Sequence, residues 1–97
     1  MIRLLSMNAT IILTAHKHST RLLVWSRKTF KILQEVECEG IEDGEGLSAL
    51  WIKVCEQTAL VWLEDGSLVV FDILRDGLLR KKQTLNGHIA GRKAVIN

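Results

Sequence analysis

Proline and tyrosine are both missing from this 97-residue chain, and cysteine occurs only twice. Two cysteines cannot form the disulfide framework of a small secreted scaffold, so the fold must rest on an apolar core or on a partner. No run approaches eighteen apolar residues, which excludes a membrane-spanning helix. Acids are missing from residues 1–34. What is present is globular: 47% hydrophobic and 25% charged residues, a balance outside the disordered range. The length allows one small domain. Abundant Val, Ile, Leu and Thr with seven glycines lean toward strands and turns.

Charge is segregated. Residues 1–34 carry six bases, residues 35–76 hold all eleven acids against Lys53 and Arg75, and residues 77–97 add five bases, giving +6, −9 and +5. Basic ends are one footprint of nucleic-acid binding. The net charge of +2 and the acidic block favour complementary protein surfaces instead, because such a block repels a polyanion. Ser6, Asn8, Thr10 and Thr14 interrupt any signal-peptide apolar core. Asn8-Ala9-Thr10 fits a glycosylation acceptor, a three-residue pattern that arises readily by chance. The expected setting is soluble, in the cytoplasm or nucleus.

Periodicity predicts short strands. Apolar runs cover 2–7, 10–15 and 21–25; residues 30–36 and 47–54 alternate; residues 58–63 are apolar throughout and read as buried on both faces. Glu64-Asp65-Gly66-Ser67 predicts a hairpin turn into strand 68–73, and Arg75-Asp76-Gly77 predicts a second turn into 78–85. Residues 38–46, acidic and glycine-rich, read as a loop. The chain reads as all-β.

An internal repeat organises these strands. RLLVWSRKTFKILQEVECEG (21–40) and SLVVFDILRDGLLRKKQTLNG (67–87) share a polar start, an aliphatic run, an aromatic, a polar residue, a further strand and a glycine. Trp25 and Phe71 are 46 residues apart, close to the roughly 40–45 residues of a four-stranded propeller blade.

The residues resemble WD repeats of β-propellers. Segment 47–88 carries the pattern: the Asp65-Gly66 turn six residues before Phe71, the aromatic-acid pair Phe71-Asp72, and Gly87-His88. Ser19 stands at the same offset from Trp25. The resemblance implies antiparallel four-stranded blades in an incomplete propeller: a blade at about 2–37, the loop 38–46, a blade at about 47–86, and the first strand of another at 89–96. It implies structural roles for Trp25, Asp65, Phe71, Asp72, Gly87 and His88. The sequence departs from the family where Phe71 replaces tryptophan, Ser26 replaces aspartate and Gly40-Ile41 stands in place of Gly-His. No complete family hydrogen-bond network is therefore expected, and His88 would find its partners in a continuation of the blades. Two blades leave apolar faces bare. The expected solutions are a longer propeller chain, which the ending Ala94-Val95-Ile96-Asn97 in a first strand suits, self-assembly, or completion of another protein's propeller.

Other chemistry has weak support. His16 and His18 would share a strand face, as metal ligands do, but lack further ligands and read as surface residues near a turn. Cys38 and Cys55 have no C-x-x-C spacing, and no nucleophile elbow or phosphate-binding glycine motif occurs. Glu42, Asp43 and Glu45 lack EF-hand spacing. Trp25, Trp51, Trp62 and Phe71 could stack nucleobases, but they fall in apolar runs and read as core. Arg80-Lys81-Lys82 could meet phosphate or simply lie solvated. The expectation is a non-catalytic protein-interaction scaffold with no metal or cofactor and no membrane partner, contacting partners through loop residues such as Asp43, Glu45, Arg75 and Lys81. The alternatives are a small nucleic-acid-binding β-barrel using its basic ends, and a truncated product without independent function.

Overall fold

The computed structural model describes residues 1–39 and 46–85, together with the backbone of residues 88–89 and 92–93. Among the described residues every element is a strand. β1 (Ile2–Met7), β2 (Ile11–His16), β3 (Arg21–Ser26) and β4 (Ile32–Glu37) form one antiparallel sheet, each strand paired with the next in sequence. β5 (Ala49–Val54), β6 (Thr58–Leu63), β7 (Leu68–Ile73) and β8 (Leu79–Leu85) form a second sheet of the same order. β9 (His88–Ile89) and β10 (Arg92–Lys93) pair as a short hairpin. The larger sheets are open, and neither closes on itself. The expected strands from 2 to 85 are all present, their ends moved by at most two residues.

The two sheets match in register as well as in order. β1 and β5 each carry a bulge at their second residue, Arg3 and Leu50. In both third strands the pairing slips immediately before the aromatic, between Val24 and Trp25 and between Val70 and Phe71. The extra residues opposite these slips are Leu33 and Lys82. The paired positions superpose at offsets of 47 for the first two strands, 46 for the third and 49 for the fourth. Bulges bend a strand and increase its twist, so equal bulges at equal positions give both sheets the same curvature. Trp25 and Phe71 thus occupy equivalent sites.

Alternation then sorts the side chains. In the first sheet Ile11, Leu13, Ala15, Leu22, Val24 and Val36 share one buried face. They join Ile52, Val54, Ala59, Val61, Leu63, Val69 and Phe71 of the second sheet in a single core cluster. The opposite faces look outward. On the first sheet that face holds Leu5, Ile12, Thr14 and Trp25; on the second it holds Trp51, Leu60, Trp62 and Val70. Residues 58–63 accordingly correct the expectation of burial on both sides: Ala59, Val61 and Leu63 are buried, while Thr58, Leu60 and Trp62 are half-buried. A second sheet covers one face, and the described structure packs no third large sheet on the other.

Polar side chains bridge the stacked sheets where their backbones lack partners. The Asn8 Oδ1 accepts from Thr10 N and Ile11 N at 2.8 Å each, closing the β1–β2 turn. Its Nδ2 donates across to Cys55 O at 2.9 Å and Glu56 O at 3.2 Å. A glycan on that nitrogen would displace these bonds, which counts against the Asn8-Ala9-Thr10 acceptor. Val54 N donates to Ser6 Oγ at 2.9 Å, and the Arg3 guanidinium donates to Ala49 O. At the outer edge the Gln34 amide grips the Leu79 backbone twice, Nε2 donating to its carbonyl at 3.1 Å and Oε1 accepting from its N–H at 2.8 Å.

Both Asp-Gly turns have the positive φ that their sequence predicts, 87° at Gly66 and 90° at Gly77. Gly77 also lies against the first sheet, where an added Cβ would sit 3.1 Å from Ile11 Cγ2 and 3.2 Å from Leu33 Cδ1. Gly77→Ala is expected to destabilise the fold by about 1–2 kcal/mol, through the left-handed backbone and this close approach. Urea unfolding checks it; an unchanged midpoint would contradict the turn geometry.

Candidate functional site

The aromatic of the first sheet anchors a polar chain on the outward face. Trp25 Nε1 donates to Thr14 Oγ1 at 2.9 Å, and that hydroxyl lies 2.9 Å from His16 Nε2. Trp25 stands opposite Ile12, so Thr14 is its diagonal neighbour on the same face, within indole reach. In the second sheet the equivalent pair is Val61 and Phe71, both buried. A hydroxyl and an indole have been exchanged together for two apolar groups, and such a paired exchange leaves no orphaned donor. His16 therefore corrects the surface reading: it is half-buried and hydrogen-bonded at the end of β2. His18 lies in the following turn with φ 63°, so strand alternation no longer aligns the two rings.

The turn residues also correspond. Asp65 Oδ1 accepts from Ser67 N at 2.8 Å, and Ser19 Oγ accepts from Arg21 N at 3.1 Å, the same bond one repeat earlier. Asp72 pairs across strands with Arg80, Oδ2 to Nη2 3.5 Å. Gly87, Asp43 and Glu45 lie outside the described residues, as does the side chain of His88.

The β1–β2, β5–β6 and β7–β8 turns meet along one rim. A groove of about 550 Å³ opens there, lined by Thr10, Glu56, Gln57, Asp72, Arg75 and Arg80 among others. The structure thus brings Arg75, expected as a contact residue, beside Asp72 and Arg80. Lys81, the other such residue within the described set, lies elsewhere. It lines a cleft of about 320 Å³ between the outer strands, together with Gln34, Glu35, Glu37 and Glu39. The groove mixes both charge signs.

Of the four aromatics expected in the core, only Phe71 is fully buried. Trp25 and Trp62 are half-buried, and Trp51 is 42% exposed beside its cross-strand partner Trp62. The core expectation is corrected for Trp51, because its face of the second sheet looks outward.

Arg21 Nε donates to Glu37 Oε2 at 3.1 Å, and Thr20 Oγ1 donates to Glu37 Oε1 at 2.6 Å. The Thr20 bond foremost, with the Arg21 bond, lowers the Glu37 carboxyl below its ordinary value. Next to it Cys38 is buried, and its thiol is pushed up to about 12, chiefly by burial and further by the Glu37 charge. A thiolate is the reactive form, so Cys38 is chemically silent in the folded state. Cys55 is exposed. A disulfide reagent at mildly alkaline pH should modify Cys55 rapidly in native protein and Cys38 only after denaturation. Rapid modification of both would contradict the burial of Cys38.

Among the described residues no cluster of three or more His, Cys, Asp or Glu side chains could hold a metal ion. No described helix is long and apolar enough to cross a membrane. Sequence reasoning named Thr14 and Asn8 without their bonding roles and did not single out Gln34 or Gln83. Thr14 left a signal as the polar residue inside an apolar run, whereas Gln34 and Gln83, 49 residues apart, reach one repeat position only through the strand register. The sequence matches no protein-family model and no curated protein.

Proposed function

We propose that this chain is a non-catalytic protein-interaction scaffold built from WD-repeat-like propeller blades. The observation that carries the reading is the shared strand register, with the same bulge ahead of Trp25 and of Phe71. Support also comes from the Trp25–Thr14 bond, which ties the third-strand tryptophan to a second-strand hydroxyl within one sheet. The scaffold mechanism follows from rigidity. Stacked sheets fix the turns at each rim, and those turns present varied polar groups to a protein partner in the cytoplasm or nucleus. The rim groove with Arg75, Asp72 and Arg80 is the docking site of this reading, and Lys81 marks a second contact between the outer strands. The open sheets also fit this reading better than a nucleic-acid-binding barrel.

A photo-cross-linking amino acid placed at Arg75, and separately at Lys81, should yield discrete protein adducts in cells. Adducts to RNA or DNA, lost on changing Arg80, Lys81 and Lys82 to alanine, would overturn the reading in favour of nucleic-acid binding. No discrete protein adduct at either position would overturn it as well.

A further inference from the structure

We propose that a second copy of this chain docks head to tail on the first, the outward face of its first sheet against the outward face of the other copy's second sheet. The proposal deepens the scaffold reading by naming a partner, and it rests on the two-unit repeat within that reading.

Within the chain, two unlike faces already form an interface: the inner face of the first sheet and the inner face of the second. Superposing the sheets by their bulges shows where each type of face recurs. The residue identities between paired strand positions are Leu13/Leu60, Leu22/Leu68, Val24/Val70 and Gln34/Gln83. All of them fall on one face, inner in the first sheet and outward in the second. The outward face of the second sheet therefore repeats a surface that the chain already uses for stacking. Leu4, Ala15 and Val36 correspond there to Trp51, Trp62 and Leu85, which keep it apolar.

The converse holds for the first sheet. Its outward Leu5, Met7, Ile12, Leu23 and Trp25 correspond to the inner Ile52, Val54, Ala59, Val69 and Phe71. Leu5 is 52% exposed and Phe30 67% exposed. With Ile2, Ile12, Thr14 and Trp25 they line an apolar hollow of about 190 Å³. On this face Thr14 accepts from Trp25 and bonds His16, and Arg21 pairs with Glu37, while Glu35 stands exposed opposite Leu23 towards the outer edge.

The two outward faces, which no large sheet covers among the described residues, are thus complementary to each other by the interface the chain already contains. Stacking them is heterologous, because different faces meet, and repetition leads to a ring or an open filament. Gln83 is exposed at the position of Gln34, which clamps the neighbouring sheet's backbone. It is placed to clamp the next copy.

The experiment uses the full chain and two surface variants, Leu5→Glu on one face and Trp51→Glu on the other. Analytical ultracentrifugation across micromolar concentrations reads the mass, and far-UV circular dichroism reports folding. Wild type should sediment as multiples of 11.0 kDa. Each variant alone should associate at least about tenfold more weakly, because its charge must lose water in an apolar contact. Mixed together, the variants retain one intact face each and should form a capped one-to-one dimer. If Trp51→Glu does not fold, Leu85→Glu replaces it on the same face. A wild type that stays at 11.0 kDa overturns the proposal, as does a mixture that forms no heterodimer or a single-face variant that still associates fully. These failures leave the scaffold reading to the cross-links at Arg75 and Lys81, which stand apart from both contacts.

Discussion

Leu13→Ala should remove about 3–5 kcal/mol of folding stability, whereas Leu60→Ala at the equivalent position should remove only about 1 kcal/mol. Both residues are leucines in the third position of a second strand. Leu13 is wholly buried between the sheets and Leu60 only half-buried on the outward face. Truncating Leu13 loses the transfer energy of the side chain and opens a cavity between layers that cannot collapse freely. For a chain of this length total stability is about 5–15 kcal/mol, so Leu13→Ala takes a large share. Urea unfolding at low protein concentration, with an unchanged slope, would read the difference as a shift in midpoint. Equal losses at the two positions would contradict the assignment of inner and outward faces.

Phe71→Trp should also destabilise strongly, by about 2–4 kcal/mol, although it introduces the residue that WD repeats carry. Phe71 is 4% exposed and packed in the core. The indole would overfill that site and bring its N–H toward Val61, a side chain with no acceptor. Val61→Thr alone places a hydroxyl in the core. The double variant should recover at least about 1 kcal/mol of the summed losses, since its threonine restores the acceptor that Thr14 provides for Trp25. Strictly additive losses would show that Val61/Phe71 and Thr14/Trp25 are not equivalent pairs. A double-mutant cycle from thermal or urea unfolding decides it.

Much of the candidate site was legible because its signals are local. The alternation of 47–54 and the Asp-Gly pairs at 65–66 and 76–77 placed strands and turns near their observed positions. The offset between Ser19 and Trp25, equal to that between Asp65 and Phe71, foreshadowed the matching turn bonds. His16 was misread because its partners, Thr14 and Trp25, meet only after the sheet brings neighbouring strands together. The partners of Asn8 and Gln34 were hidden for a related reason. Their backbone partners lie 45 or more residues away, and a backbone group leaves no residue-type signature.

Amino-acid order alone determined the all-β character, the strand lengths, the turns and the repeat spacing, since each depends on backbone preference or on side-chain alternation over a few residues. Tertiary packing decided which side of each sheet lies inside. Strand 58–63 is apolar on both sides, so alternation could not choose; stacking buried Ala59, Val61 and Leu63 and turned Leu60 and Trp62 outward. The choice belongs to the pair of sheets because a face becomes core only when another surface removes it from water.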